Sequence, residues 1–162
     1  MNKIKMMCGV PGSGKSSFIR NHAKPEDVIV SRDKIRFAMV KEDEPYFSKE
    51  KAVFKEFIRQ IVEALAADKT VWVDATHLNE ASREKMLSAV EAKINIDSIE
   101  AYEISCPVEV AIAQNKFRIN TRAYVPEETI YSMIANQTRP QYDKRTYDAI
   151  YYCYNDLPIK KE

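Results

Sequence analysis

Long apolar stretches and an excess of charge of one sign are both absent from this chain of 162 residues. No segment approaches the ~20 consecutive apolar residues that span a bilayer, so the sequence predicts no membrane-spanning helix. The 25 basic and 24 acidic residues leave a formal net charge of +1. Overall charge therefore neither favours nor excludes a nucleic-acid partner, and any basic binding surface has to be local.

Cysteine is also scarce. Cys8, Cys106 and Cys153 are far apart and lie in apolar, strand-like segments, without the paired spacing of a zinc site or a disulfide framework. We therefore expect buried thiols in a reducing compartment. The opening residues MNKIKMMCGV reach Gly and Pro too soon to form the apolar core of a signal peptide, which makes a cytoplasmic protein the expectation.

Internal repeats, low-complexity segments and linkers are missing as well. The chain is 45% hydrophobic and 30% charged, which is ordinary for soluble globular proteins. A chain of this length suits one hydrophobic core. The expectation is a single domain over residues 1–162.

Short β-rich segments alternate with segments of helical period along the chain. Strands are predicted over 4–10 and 27–31, from Thr70, in IDSIEAYEISC and in YDAIYYCYN; helices are predicted from Lys15, over 34–40, around 54–65, from Asn79, and with Pro107 and Pro126 in the first turn of the last two. This alternation implies parallel pairing and an α/β sheet of about five strands covered by helices on both faces. Ligands bind at the carboxyl ends of the strands in such sheets.

The segment CGVPGSGKSS follows the first predicted strand and matches G-x-x-x-x-G-K-[ST] at every fixed position. Glycines let backbone N–H groups converge on phosphate oxygens, Lys15 neutralises the β- and γ-phosphates, and the Ser16 hydroxyl can ligate Mg²⁺. We therefore predict a site for ATP or GTP with Mg²⁺. Its predicted nucleotide-binding residues are Gly9, Pro11, Gly12, Ser13, Gly14, Lys15, Ser16 and Ser17.

Two further candidates follow the third predicted strand. Asp74 ends VWVD, the position from which an acid holds Mg²⁺ through water beside the nucleotide. The alternative is a helix or turn cap, and we favour the metal role. Asn79 lies in the same strand-end segment and is a candidate substrate-binding residue, as is Asp74 itself.

Acceptor-side chemistry is suggested by SRDKIR, after the second predicted strand. Asp33 there can accept the proton of an attacking hydroxyl during phosphoryl transfer. Arg36 lies one helical turn later and shares its face. The alternative is a capped helix start with Asp33 as the N-cap and exposed basic residues, and the two interpretations are left open.

The polar segment NKFRINTRAYVP lies between two predicted helices. Its arginines, Arg118 and Arg122, can stabilise charge on a transferring phosphoryl group if the segment closes as a lid, over about residues 116–126. A solvated basic loop is the alternative, which composition alone does not exclude.

In order and spacing, GVPGSGKSS, SRDKIR, VWVDATHLNEASREK and NKFRINTRAYVPEETI resemble the polynucleotide-kinase-like branch of P-loop kinases, most of all the 5′-hydroxyl kinase domain of phage-type polynucleotide kinase, over residues 3–137. The resemblance implies a P-loop kinase fold with an arginine-bearing lid. It implies that Asp33 is the general base toward a 5′-hydroxyl, that Arg36 contacts the acceptor's 3′-phosphate, and that Lys15 and Ser16 hold the ATP phosphates and metal. It also implies that Arg122 contacts the β- and γ-phosphates, with Arg118 as the neighbouring candidate.

The chain departs from that family at His77, where Asn is frequent, and we interpret it as a tolerated loop residue. It also lacks the aspartate-rich phosphatase motif, so no 3′-phosphatase activity is predicted. Related kinases act on nucleosides, sugars or antibiotics, and Tyr46 and Phe47 can either stack bases or pack on the long helix. The expected function is ATP-dependent phosphorylation of a DNA or RNA 5′-hydroxyl; a small-molecule kinase, or a regulatory ATPase without an acceptor, remains the alternative, and an oligomer is left open.

Overall fold

The computed structural model describes residues 1–118, 121 and 124–154. In the described residues, five strands form one parallel sheet in the order β2-β3-β1-β4-β5. The strands are β1 (Lys3–Cys8), β2 (Val28–Ser31), β3 (Thr70–Asp74), β4 (Ser98–Ser105) and β5 (Ala149–Tyr154), and the helices are α1 (Lys15–His22), α2 (Arg32–Met39), α3 (Glu50–Ala66), α4 (Glu80–Glu91), α5 (Val108–Lys116) and α6 (Glu127–Asn136). The predicted α/β sheet of about five strands is confirmed.

Alternation along the strands divides the core between the two faces of the sheet, because successive side chains of a strand point to opposite faces. Ile4 and Met6 of β1 belong to the larger cluster, which also contains Phe57 of α3 and Leu87 of α4. Met7 belongs to the smaller cluster on the opposite face, beside α1. The central strand is thereby buried on both sides, and its carboxyl end lies in the middle of the sheet edge.

Trp72, the only tryptophan of the chain, anchors the smaller cluster. Its ring centroid lies 6.2 Å from that of Phe18 on α1 and 5.5 Å from that of Tyr102 on β4. The indole Nε1 donates a hydrogen bond to Asp27 Oδ2 over 2.9 Å, so the buried polar atom has a partner. Helix α1 therefore lies directly on strand β3.

Three helix starts differ from the expectation. Helix α2 begins at Arg32, two residues before the predicted start, because the Ser31 side chain accepts a hydrogen bond from Lys34 N and forms the N-cap. Pro107 and Pro126 lie one residue before their helices, both with φ −54° and ψ 142°. Their rings fix φ at a value suited to the helix start, while the extended ψ places them outside the first turn.

The prediction of three buried thiols is wrong for two of them. Cys8 is buried, whereas Cys106 and Cys153 are half-buried. Cys106 follows the last residue of β4, and Cys153 lies on β5, a strand with a neighbour on one side only. Within the described segments, no helix is long and apolar enough to cross a membrane.

Candidate active site

The turn after β1 is built from the three glycines of the chain, Gly9, Gly12 and Gly14. Gly12 has φ +81° and Gly14 has φ +104°, a region that L side chains rarely adopt. A Cβ atom on Gly9 would lie 2.6 Å from the Ile104 carbonyl oxygen. The predicted loop is therefore held in a shape that only glycine allows, at the carboxyl end of the central strand.

Helix α1 starts directly after this loop without a side-chain cap and without an acidic residue in its first turn. Helices α2 and α4, by contrast, are capped by Ser31 and Asn79. The first N–H groups of an uncapped helix lack partners and carry the positive end of the helix dipole. The start of α1 is thus suited to bind an anion such as a phosphate.

Ser13 and Pro11, both predicted nucleotide-binding residues, are buried under the loop. The Ser13 hydroxyl would lie 2.8 Å from a Cβ atom on Gly9, so its side chain points into the turn. Ser16 is exposed and Ser17 is half-buried. Ser13 and Pro11 are therefore placed to shape the loop.

Lys15 is hydrogen-bonded within the loop and is affected by the charges of other candidate residues. Its Nζ donates hydrogen bonds to the carbonyl oxygens of Gly9, over 2.7 Å, and Val10, over 3.0 Å. Burial lowers the pKa of Lys15 below its ordinary value, Asp74 and Asp33 oppose this shift, and the charge of Arg118 adds to it. The charges of Asp74, Asp33 and Arg118 therefore all act on Lys15.

Ser16, in the first turn of α1, contacts Asp74, the last residue of β3. The Ser16 hydroxyl donates a hydrogen bond to Asp74 Oδ2 over 2.9 Å. A hydroxyl and a carboxylate side by side suit Mg²⁺, which binds one or two protein oxygens and completes its shell with water and substrate phosphates. Ser16 and Asp74 therefore fit the predicted magnesium site.

Asp33 lies on the neighbouring strand end. Strand β2 pairs with β3 so that Ser31 is opposite Asp74, and Asp33 follows two residues later in the first turn of α2. Its carboxylate is 54% exposed. Since Ser31 is the N-cap, the alternative in which Asp33 caps the helix is wrong, and the carboxylate is available at the sheet edge.

Arg36 is not the exposed basic residue of that alternative, because it is only 7% exposed. Its Nε and Nη2 donate to the two carboxylate oxygens of Glu50 over 2.6 and 2.9 Å, and Nη1 donates to Asp33 Oδ1 over 2.6 Å. Burial would lower the pKa of Arg36, but the hydrogen bonds and charge of Glu50 raise it above its ordinary value. Arg36 is thus held by two acids.

Sequence reasoning missed Glu50 and did not assign Tyr46. The Tyr46 hydroxyl donates to Asp33 Oδ1 over 3.1 Å, and the Arg36 guanidinium lies 5.2 Å from the Tyr46 ring centroid. Tyr46 therefore contacts both Asp33 and Arg36. Glu50 and Arg36 are 14 positions apart, and no helical or strand spacing links residues at that separation.

The predicted lid, residues 116–126, is described only in part. Arg122 lies outside the described residues, so the prediction for it is not tested. Arg118 follows α5 and is half-buried. The buried side chain of Asn115 exchanges two hydrogen bonds with the backbone of Val125, Nδ2 to O over 2.5 Å and N to Oδ1 over 3.2 Å. Both ends of the segment are therefore held together beside the loop.

Two residues of the segment after β3 have structural contacts. Asn79 caps α4, since its Oδ1 accepts a hydrogen bond from Ser82 N over 2.9 Å and its backbone N–H reaches Ser82 Oγ; its contact with a substrate stays a prediction. His77 is buried, with φ +42°, and its Nδ1 is 2.7 Å from the Met7 carbonyl oxygen. His77 therefore joins this segment to the central strand and is more than a tolerated loop residue.

Solved structures share this architecture. A chain in the Pnkp1/Rnl/Hen1 RNA repair complex is 24% identical with TM-score 0.67, over 83% of this chain and 43% of that chain. A Chloroflexus aurantiacus protein is 10% identical with TM-score 0.77, over 97% and 90% of the two chains. A sugar kinase from Janibacter sp. HTCC2649 is 15% identical with TM-score 0.62, over 96% and 85%.

These likenesses show a shared fold, and the α/β P-loop kinase-like fold expected from the sequence is confirmed. The chain spans less than half of the matched chain in the RNA repair complex. No curated protein matches the sequence. A family model described as AAA domain matches residues 4–140. Because this match covers most of the chain, the protein belongs to that AAA domain family, AAA_33.

Proposed function

We propose that this protein transfers the γ-phosphate of ATP to the 5′-hydroxyl of a polynucleotide. The observation that carries the proposal is the meeting of three strand ends: Ser16, next to Lys15, donates to Asp74 Oδ2 over 2.9 Å, and Asp74 is opposite Ser31, two residues before Asp33. The phosphate-binding loop after β1 does not by itself identify the reaction, because motor proteins, switches and kinases all have one. The half-exposed carboxylate of Asp33, which follows β2 on the far side of β3, supplies the base that an acceptor hydroxyl needs.

On the nucleotide side, the N–H groups of the glycine loop and of the first turn of α1 bind phosphate oxygens, and Lys15 neutralises their charge. Ser16 and Asp74 would hold Mg²⁺, which shields the phosphate charge when bound. Arg118 follows α5, a helix whose Ala111 carbonyl lies beside Gly12 of the loop. We assign Arg118 and, from the family resemblance, Arg122 to the transferring phosphoryl group.

On the acceptor side, Asp33 accepts the proton of the attacking hydroxyl. The hydroxyl oxygen forms a bond to the γ-phosphorus, the bond from that phosphorus to the β–γ bridging oxygen breaks, and ADP leaves. Arg36 donates to Asp33 and Glu50 in the structure. These contacts use three of the five N–H groups of a guanidinium, so the proposed contact of Arg36 with an acceptor phosphate falls to the remaining N–H groups.

Aromatic side chains beside Asp33 favour an acceptor that carries a base. Phe47 is 63% exposed and Phe37 is 39% exposed, and their rings lie 5.0 and 5.3 Å from the ring of Tyr46. Exposed aromatic rings stack nucleobases. The presence of Pnkp1 in an RNA repair complex, as that structure is described, agrees with this choice.

A small alcohol is the second candidate acceptor, and one observation favours it. Glu42 and Asp43 are exposed on the loop that leads to Tyr46. Two exposed acids on this loop would repel a polyanionic phosphate backbone but not a neutral sugar or nucleoside.

The deciding experiment incubates the protein with Mg²⁺ and γ-labelled ATP and, in parallel, a 5′-hydroxyl DNA, a 5′-hydroxyl RNA, nucleosides, a sugar panel and no acceptor. We expect label on the 5′ end of an oligonucleotide. Label on a nucleoside or sugar, and never on an oligonucleotide, would establish the second candidate. Release of labelled phosphate without any labelled acceptor would indicate an ATPase.

A further inference from the structure

The two carboxylate oxygens of Asp33 have different surroundings. Oδ1 accepts two hydrogen bonds, from Arg36 Nη1 over 2.6 Å and from the Tyr46 hydroxyl over 3.1 Å. Among residues 1–118, 121 and 124–154, no hydrogen bond reaches Oδ2. Within the described part of the chain, one oxygen is therefore held and the other has no donor.

The two donors come from independent supports. Arg36 projects from α2 and is held by a bidentate ion pair with Glu50 at the start of α3. Tyr46 comes from the loop between these helices, outside both. A carboxylate held from two directions loses rotation about its Cβ–Cγ bond, which a single donor would permit.

The loop that carries Tyr46 is itself well connected. The backbone N–H groups of Lys41 and Glu44 bind back within the loop, to Glu44 Oε1 and the Lys41 carbonyl. Lys49 Nζ reaches Glu44 over 3.2 Å and the Met39 carbonyl over 3.2 Å. These links tie both ends of the loop to the end of α2, so the position of the tyrosine hydroxyl is set by the fold.

The Tyr46 hydroxyl is also a dependable donor. Burial, followed by the charge of Asp33, raises the pKa of Tyr46 to about 12. The hydroxyl therefore keeps its proton throughout the pH range in which an aspartate acts as a base. A protonated phenol facing a carboxylate donates to it and cannot compete for the acceptor's proton.

We infer that Tyr46 is a positioning residue that, with Arg36, fixes Oδ1 of Asp33 and thereby makes Oδ2 the oxygen that takes the proton. This inference rests on the proposed function, in which Asp33 is the base. The O–H bond of the acceptor breaks as its proton passes to Oδ2, its oxygen bonds to the γ-phosphorus, and the electron pair of the broken P–O bond leaves with ADP. Tyr46 contacts neither reacting atom.

Tyr46→Phe tests the inference because it removes one oxygen and keeps the ring. Tyr131→Phe is the matched control, since Tyr131 is a half-exposed tyrosine on α6 and loses the same atom. We expect Tyr46→Phe to lower kcat about 10-fold, the order of one hydrogen bond to a charged group, with KM for ATP and acceptor within about twofold. A fall in kcat without a matching change in either KM is the mark of a base that is held less well in the transition state.

Two further measurements separate the inference from the proposed function. If the wild type labels an oligonucleotide and Tyr46→Phe keeps its kcat, the inference is overturned and the proposed function stands. If the wild type labels no acceptor, the proposed function fails. The conformation of the Asp33 carboxylate, compared in crystal structures of both proteins, then decides alone: a changed or second rotamer in Tyr46→Phe supports the contact, and an unchanged carboxylate refutes it.

Discussion

The Ser16 hydroxyl donates a hydrogen bond to Asp74 Oδ2 over 2.9 Å, which joins the first turn of α1 to the carboxyl end of β3. In the proposed function this pair serves the nucleotide, and Asp33, two residues after the adjacent strand β2, serves the acceptor. Under that proposal the order of the strands separates metal binding from proton transfer.

Removal of the Ser16 hydroxyl should raise the Mg²⁺ concentration needed for activity. We expect Ser16→Ala to increase the half-saturating Mg²⁺ concentration about 10-fold or more. Mg²⁺ has few protein ligands, so the loss of one ligand, or of the residue that orients it, lowers the affinity for the metal. Ser16→Thr should restore it. Titration of activity with Mg²⁺ at saturating ATP measures the effect.

Ser132→Ala is the control for this experiment, since Ser132 is an exposed serine on α6 and is not among the predicted nucleotide-binding residues. In the double variant with Asp74→Asn, the losses should not add, because the two side chains act as a unit. Fully additive losses would contradict a shared metal site.

Loss of the Asp33 charge should stop transfer without affecting nucleotide binding. We expect Asp33→Asn to lower the rate by about 10²- to 10⁴-fold, the usual contribution of a general base, while ATP affinity changes little. Rapid-quench assays and calorimetric titration with ATP measure the two quantities. Asp143→Asn, at an exposed position, is the control, and transfer at the normal rate by Asp33→Asn would remove Asp33 as the base.

Gly12 should tolerate no side chain. Its φ is +81°, and a Cβ atom would lie 2.4 Å from the Ala111 carbonyl oxygen. We expect Gly12→Ala to lower the free energy of unfolding by about 1–3 kcal/mol, the cost of such backbone strain, and to weaken ATP binding. Urea unfolding measures the first effect.

The clash at Gly12 involves the backbone oxygen of residue 111, so a smaller side chain there cannot relieve it. Gly12→Ala combined with Ala111→Gly should be no more stable than Gly12→Ala alone. Rescue by the second change would show that side-chain crowding, and not the backbone, limits this position.

His77 should make the fold sensitive to acid. Burial, opposed by the hydrogen bond to Met7, lowers the pKa of His77 to about 4, against an unfolded value near 6.5. Between these pH values the unfolded chain binds a proton that the folded chain does not, so the free energy of unfolding falls as the pH falls. The loss reaches up to about 3 kcal/mol by pH 4.

His77→Asn should flatten this acid-dependent loss, because Asn does not titrate and tolerates the positive φ of +42°. Urea unfolding at a series of pH values from 7 to 4 gives the comparison. His22→Gln, a change of the other histidine at an exposed position, should keep the wild-type slope. An unchanged slope in His77→Asn would refute the assignment.

The sheet and the glycine loop after β1 could be predicted from the sequence because both depend on local patterns. The β-branched segment TVWVD predicts strand β3, and the roles of Gly12 and Lys15 are predicted by a motif in which each residue has a fixed role. The start of α2 was misplaced because Ser31 and Asp33 are both good caps, and only the fold decides which side chain faces the helix.

Contacts between distant positions were beyond sequence reasoning. Arg36 and Glu50 form a buried ion pair, but nothing in either local sequence separates it from a solvated charge. The role of His77 could not be predicted for the same reason, since its contact with Met7 spans 70 positions. Charged and polar residues of this kind gain their roles from the packing of β1, α2 and α3.

The position of Trp72 gives the protein a built-in optical reporter. The chain has one tryptophan, so its fluorescence arises from a single known place. That indole contacts Phe18 on α1, the helix that begins at the phosphate cradle, and it lies two residues before Asp74. Its emission therefore allows nucleotide binding and unfolding to be followed in the unlabelled protein.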